Sequence, residues 1–218
     1  ARMMADTASI VRGDGQVSLD GAENAASYDA WSTGYDAELA GWGYEAPQRT
    51  AATLKAHLGD AAFKTANILD CGCGTGLSGA ALRRAGSAGA ITGLDVSTAS
   101  LDISRAKTGV YDALAEVDLN GALPLGDASV EAIVCVGVLT YCDQDKVFAE
   151  WHRVLKPKGV AVFTCRDDLW QQRGFDASCA TAKLRLAQKT DPMPYLPGNP
   201  DFAEKVRVYY VVMIKSDD

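Results

Sequence analysis

The feature that most constrains this chain is the segment Ile68-Leu69-Asp70-Cys71-Gly72-Cys73-Gly74-Thr75-Gly76-Leu77-Ser78-Gly79. A short apolar run ends in an acid, breaks into glycines and passes into a helical pattern. Glycine lets the backbone turn tightly and approach a ligand with no Cβ in the way. Such a strand–turn–helix is one βα unit, and the rest of the chain repeats it as short apolar runs alternating with helical stretches. The pattern predicts strands over 67–70, 90–95, 113–117, 130–138 and 159–165, with helices over 77–85, 98–107 and 144–155. Right-handed crossovers then align the strand carboxyl ends along one sheet edge, where ligands belong.

Ahead of this region, Tyr28, Trp31, Tyr35 and Leu39 recur at helical spacing on one face. A second helix is expected over 47–58, with Pro47 near its start and Gly59 closing it. Residues 1–22 are small, polar and aperiodic, and are expected to form a mobile arm with no site. Residues 23–218 then form one domain. In its tail, 167–189 reads as mixed and partly helical, and 191–200 holds four prolines and reads as a loop. The alternation of Val206, Val208, Tyr210, Val212 and Ile214 predicts a late strand, expected antiparallel at the sheet's edge.

Composition narrows the partners. The 218 residues carry 21 Lys and Arg against 28 Asp and Glu, a net charge of −7, which disfavours a broad basic face for nucleic acid or anionic lipid. A small molecule fits better. Cys71, Cys73, Cys135 and Cys165 lie in or at the ends of apolar runs, as reduced thiols do, and no spacing suits a zinc site. The longest apolar run, 132–139, is too short to span a bilayer, and the N-terminus has no signal-like stretch, so the expected compartment is the cytoplasm.

Gly74, Gly76 and Gly79 alone match the G-x-G-x-x-G dinucleotide pattern, which is weak evidence by itself. Three further features fall at predicted strand ends: Asp95, Asp118 and Val136-Gly137-Val138. An acid after the second strand can accept hydrogen bonds from ribose hydroxyls, as any adenosine cofactor requires. Asp70 separates the cofactors, because a carboxylate repels a diphosphate and attracts an ammonium. A nucleoside bearing an amino acid is therefore favoured over NAD. Asp118 can accept from an adenine amine while Leu119 and Val96 cover the ring faces.

In this order, the Leu69–Gly76 turn, Gly93-Leu-Asp95-Val-Ser, Glu116-Val-Asp118-Leu and Val154-Leu-Lys156-Pro157-Lys-Gly159 resemble a class I S-adenosylmethionine-dependent methyltransferase over residues 24–166. The segment Tyr28-Asp-x-Trp31-x-x-x-Tyr35-Asp36 is similar to the N-terminal element of the Williams-Beuren region methyltransferase-like group. The resemblance implies an α/β, Rossmann-like three-layer sandwich with a mostly parallel seven-stranded sheet and an antiparallel last strand. It also implies that Gly72, Cys73 and Gly74 meet the methionyl portion through their backbone, that Asp70 orients its ammonium, and that the Val136 carbonyl meets the same group. Asp95 would take the ribose, Val96, Asp118 and Leu119 the adenine, and Tyr28 and Tyr35 would close over the methionyl end. S-adenosylhomocysteine would be the product. Lys158 departs from the family pattern, where a second glycine is usual.

Substrate contacts are expected from Tyr141, Arg166 and Trp170, and the acceptor pocket between a cap at 23–46 and a variable segment at 166–204. Asp191-Pro-Met-Pro-Tyr195 resembles the Asp-Pro-Pro-Tyr box of nucleic-acid amino-methyltransferases, but it does not follow the fourth strand and its preceding residues 183–189 do not read as a strand. No catalytic residue and no metal ligand is assigned, because displacement at a sulfonium proceeds by alignment and water exclusion when the acceptor is already nucleophilic. Two rival readings stay open: an NAD(P)-dependent oxidoreductase, and a non-catalytic cofactor-binding partner subunit.

Overall fold

In this computed structural model the described residues are 18–203 and 205–217, with only the backbone described at 27, 28 and 30–33. The arm expected at 1–22 lies outside them up to residue 17. Residues 18–22 belong instead to the folded body. Ser18 is buried, and Asp20 caps helix α1 (Gly21–Gly41) by accepting from the Ala22 and Glu23 amides at 2.8 and 3.2 Å.

Helices α2 (Ala46–Leu58) and α3 (Asp60–Thr65) follow, separated by Gly59 at φ +76°. The βα repeat then runs β1 (Ile68–Cys71), α4 (Leu77–Arg84), β2 (Ile91–Asp95), α5 (Thr98–Ala106), β3 (Ala113–Glu116) and β4 (Val130–Cys135). A short 3-10 turn at Leu139–Tyr141 leads to α6 (Gln144–Val154) and β5 (Leu155–Arg166). The tail adds α7 (Asp167–Gln172), α8 (Phe175–Thr181), β6 (Leu184–Lys189), the two-residue β7 (Met193–Pro194) and β8 (Arg207–Lys215).

Seven strands are ordered β3-β2-β1-β4-β5-β8-β6, with β7 pairing β8. The first five are mutually parallel, and β8 runs antiparallel to both neighbours. The expected Rossmann-like sheet is present, with two corrections. β8 is inserted between β5 and β6 rather than lying at the edge, and 184–189, read as not strand-like, is the edge strand itself. Only Leu184 of β6 is buried, so the segment has no apolar period to betray it.

Strand periodicity sorts the core onto two faces. Leu69, Ile133, Cys135, Phe163, Val211 and Met213 pack with Phe148 and Trp151 of α6, Trp170 of α7 and Phe175 of α8. Their strand neighbours Ile68, Ala132, Val134, Val162 and Val212 pack with Leu54 of α2, Phe63 of α3 and Leu82 of α4. With both faces covered, functional groups are displayed where the strands end.

Candidate functional site

A cleft opens at the carboxyl ends of β1 to β4, beneath α1. Each loop contributes as the βα pattern dictates. Gly72 and Gly74 come from the turn after β1, Asp95 and Val96 from the end of β2, Asp118 and Leu119 from the loop after β3, and Val136, Gly137 and Tyr141 from the loop after β4. Tyr35 of α1 closes the cleft from above. The structure brings these residues to one cleft.

The glycine turn is internally bonded. The Gly72 and Cys73 amides both donate to the Leu94 carbonyl, at 2.7 and 2.9 Å, and the Gly76 amide donates to the Cys73 carbonyl at 2.9 Å. The Gly74 amide donates to the Asp95 carboxylate at 2.7 Å, and the Gly79 amide to the Tyr111 hydroxyl at 3.2 Å. A diphosphate loop needs free amides pointing at the ligand, and here these five are committed. Gly74 sits at φ +51° with open space where a Cβ would stand, so its bare backbone faces the cleft.

Asp95 also accepts from the Ser97 amide at 2.9 Å. Burial raises its carboxyl above the usual range, opposed by those backbone donors. Asp118 is exposed on the cleft, receives the Asn120 amide at 2.9 Å, and lies close to Gly21.

Several expected residues stand elsewhere. Asp70 is fully buried and does not line the cleft; one oxygen accepts from the Tyr111 hydroxyl at 2.6 Å, and its Oδ1 is buried without a partner. Burial pushes this carboxyl up to about 7, with the Tyr111 bond opposing and Asp95 adding to the rise. Cys73 turns its thiol inward against Gly93, and burial pushes it well above the ordinary thiol range. Arg166 is paired to Asp168 at 2.6 Å rather than facing the cleft. Trp170 is a correction: it is 1% exposed, stacks on Phe175 at 5.4 Å and donates to Asp176 at 3.0 Å, because α7 turns that face onto the core. The side chains of Tyr28 and Trp31 lie outside the described residues.

The structure adds residues that pattern reading passed over. Asn24 of α1 lines the cleft and is buried, with Oδ1 partnerless while its Nδ2 donates to the Ser18 carbonyl at 3.2 Å. Thr75 donates to Asp36 at 2.5 Å, and Lys107 donates to Asp36 at 2.5 Å and to the Thr75 carbonyl at 2.6 Å. Asp29 accepts from the Ser97 hydroxyl at 2.5 Å. These contacts fasten α1 over the turn. Arg173 donates to the carbonyls of Leu139, Thr140 and Cys142 at 3.0, 3.2 and 2.6 Å, fixing the turn that carries Tyr141. Single polar residues such as Asn24 and Arg173 carry no periodic signal and emerge only once the chain is folded.

Residues 69–163 match the model of a methyltransferase domain family. The chain is 32% identical over 105 residues to a malonyl-[acyl-carrier protein] O-methyltransferase of Methylovorus sp. (strain MP688), covering 44% of this chain and 36% of that protein. It is 33% identical over 141 residues to human methyltransferase-like protein 27, covering 64% of this chain and 56% of that protein. The chain thus spans about a third to a half of the length of the curated relatives it matches. Among solved structures, an S-adenosylmethionine-dependent methyltransferase from Mesorhizobium loti superposes with a TM-score of 0.59 at 18% identity, covering 75% of this chain and 96% of that one. Among the described residues, no helix is long and apolar enough to cross a membrane.

Proposed function

Because the chain belongs to the class I S-adenosylmethionine-dependent methyltransferases, we propose that it transfers a methyl group from that cofactor to a small-molecule acceptor held at the cleft. The observation that carries this reading is the electrostatics of the turn. The amides of Gly72, Cys73, Gly74, Gly76 and Gly79 are spent within the fold, while Asp70, Asp95 and Asp118 surround the turn or line the cleft. That arrangement disfavours a diphosphate and favours a cationic amino-acid head.

The residues fit this cofactor. Asn24 Oδ1, on the cleft, is buried without a partner, and an unsatisfied buried acceptor is costly unless a ligand or water completes it. Gly72 and Gly74 would border the methionyl portion, with Tyr35 and the Val136 carbonyl beside it and the Asp70 charge behind. Asp95 would accept from the ribose hydroxyls, and Asp118 from the adenine amine between Val96 and Leu119. Tyr28 belongs to the same proposal on its sequence position, as does membership of the Williams-Beuren-like group. Bound there, S-adenosylmethionine supplies an electrophilic methyl group for in-line displacement. The protein's own part is to orient, with α1 tied over the cleft so that water is excluded. We assign the cap to 23–46 and the acceptor-selecting segment to 166–204, with Tyr141 on the acceptor wall.

Calorimetry with S-adenosylhomocysteine and with NAD tests the reading. Binding of the first and not the second is expected, and Asp95→Ala should weaken it about tenfold or more through loss of charge-assisted hydrogen bonds. Binding of NAD alone would overturn the proposal.

A further inference from the structure

Helix α1 crosses the cleft with its register fixed by three contacts. At its first residue, Gly21, a Cβ would stand 2.8 Å from Asp118 Oδ2, so α1 comes this close to the loop after β3 because residue 21 has no side chain. Farther along, Asp29 accepts from the Ser97 hydroxyl at 2.5 Å and the Ala99 amide at 3.2 Å, beyond the end of β2. Asp36 then meets Thr75, in the turn after β1, at 2.5 Å. The helix thus passes the ends of β3, β2 and β1 in turn, the order in which the adenine, ribose and methionyl groups are assigned above. Asn24 lies one turn past Gly21, about 4.5 Å along the axis, and about 7.5 Å short of Asp29. It stands at the adenine end.

The Asn24 side chain has one workable orientation. Its Nδ2 donates to the Ser18 carbonyl at 3.2 Å, and a carbonyl can only accept, so reversing the amide would set two acceptors against each other. The Ser18 stretch is itself held, because Asn120 Nδ2 donates to the Leu19 carbonyl at 3.2 Å while Asn120 Oδ1 accepts the Asp143 amide at 2.8 Å. Asn24 is 4% exposed and lines the cleft, and its Oδ1 has no partner among the described residues. Asp118, on the same part of the cleft, uses Oδ1 for the Asn120 amide at 2.9 Å and as a carboxylate has only acceptors to offer. Two such groups side by side suit one ligand group that carries two hydrogens.

We propose that Asn24 reads the exocyclic amine of adenine, its Oδ1 accepting one hydrogen while Asp118 accepts the other; this rests on the cofactor reading above, which gave the amine to Asp118 alone. The amine has two diverging N–H bonds in the plane of the ring, and a single acceptor leaves one of them unmet. A 6-oxo base such as hypoxanthine would set a third acceptor oxygen against these two, and Asn24 cannot turn its nitrogen toward it while Ser18 holds that nitrogen. The pair therefore selects a 6-amino purine. Asp95 selects no base, since the ribose it would hold is common to every ribonucleoside. Asn24 is a specificity-determining residue.

The test titrates the full chain and its Asn24→Ala variant by calorimetry with two ligands, S-adenosylhomocysteine and the analogue that carries hydrogen in place of the 6-amino group. The parent should prefer S-adenosylhomocysteine by about tenfold or more, and in Asn24→Ala that preference should fall by about fivefold, as loss of one hydrogen bond to the amine requires. Loss of the Nδ2 bond to Ser18 weakens both ligands alike and cancels in the ratio, so an unchanged preference in the variant overturns the role of Asn24 and leaves the cofactor reading standing. Should the variant fail to fold, the parent alone decides. In 13C-labelled protein the Asn24 side-chain carbonyl signal should lie downfield with S-adenosylhomocysteine relative to the analogue, and the same position with both overturns the proposal. Failure of the parent to bind S-adenosylhomocysteine overturns the cofactor reading as well.

Discussion

The Tyr111 hydroxyl donates to the Asp70 carboxylate at 2.6 Å and itself receives the Gly79 amide at 3.2 Å. One phenol, placed just before β3, thereby links the end of β1 to the first turn of α4 and fixes the glycine turn between them. The acid of the motif is positioned through this contact and does not itself reach the cleft.

That burial has a pH signature. The Asp70 carboxyl is pushed up to about 7 from 3.8, so the folded protein holds this proton more tightly than the unfolded chain. The group's contribution to stability is complete below about pH 4 and is lost as pH rises to about 7. Its ionised form favours the cofactor's ammonium, so S-adenosylhomocysteine affinity should increase as pH rises through about 7. Asp70→Asn should flatten both trends. Denaturant titrations and calorimetry at pH 5 and pH 8 check this, and an unchanged pH slope in the variant would reject it.

Gly79 is the third glycine of the dinucleotide-like pattern, and here it serves packing. A Cβ at 79 would stand 2.4 Å from Tyr111 Cζ and 2.7 Å from Val110 Cγ1. Gly79→Ala should therefore cost about 1–3 kcal/mol by overpacking and weaken cofactor binding as Tyr111 shifts. Chemical denaturation reads the first effect. A variant as stable as the parent would contradict the packing.

Asp36 joins α1 to the glycine turn through Thr75 and Lys107, each at 2.5 Å. Hydrogen bonds to a charged group are worth about 1.5–3 kcal/mol, so Asp36→Ala should speed amide exchange along α1 by roughly tenfold or more. Exchange in β1 and β4 should stay the same. Equal protection of α1 in both proteins would show that the clasp is not what holds the helix.

Lys158 occupies the left-handed region at φ +63°, which favours glycine. A non-glycine residue held there costs about 1 kcal/mol or more, and its 3.4 Å pair with Asp217 is exposed and contributes little. Lys158→Gly should stabilise the fold by about 0.5–1 kcal/mol after the added freedom of the unfolded chain is counted. A lower unfolding midpoint would refute this.

Local features of the chain were enough for its framework. Pro47 and Gly59 at the two ends of α2, and the apolar runs of β1, β2, β4 and β5, act over a few residues, so they can be read in order along the sequence. The same holds for the site's floor: Gly74, Asp95, Asp118 and Val136 follow strands, and parallel strands must deliver their ends to one edge.

What folding alone decided is which distant groups meet. The order of strands placed β8 inside the sheet and left Leu184–Lys189 as an edge whose exposed residues carry no period. The inward face of α7 took Trp170 into the core, and Tyr111 claimed Asp70 from 41 residues away. The hydrogen-bonded Tyr44–Tyr195 pair spans 151 residues. Periodicity reports how one segment sits against an interior, and carries no information about the identity of the partner on the other side; that is set by the sum of long-range packing, which exists only in the assembled chain.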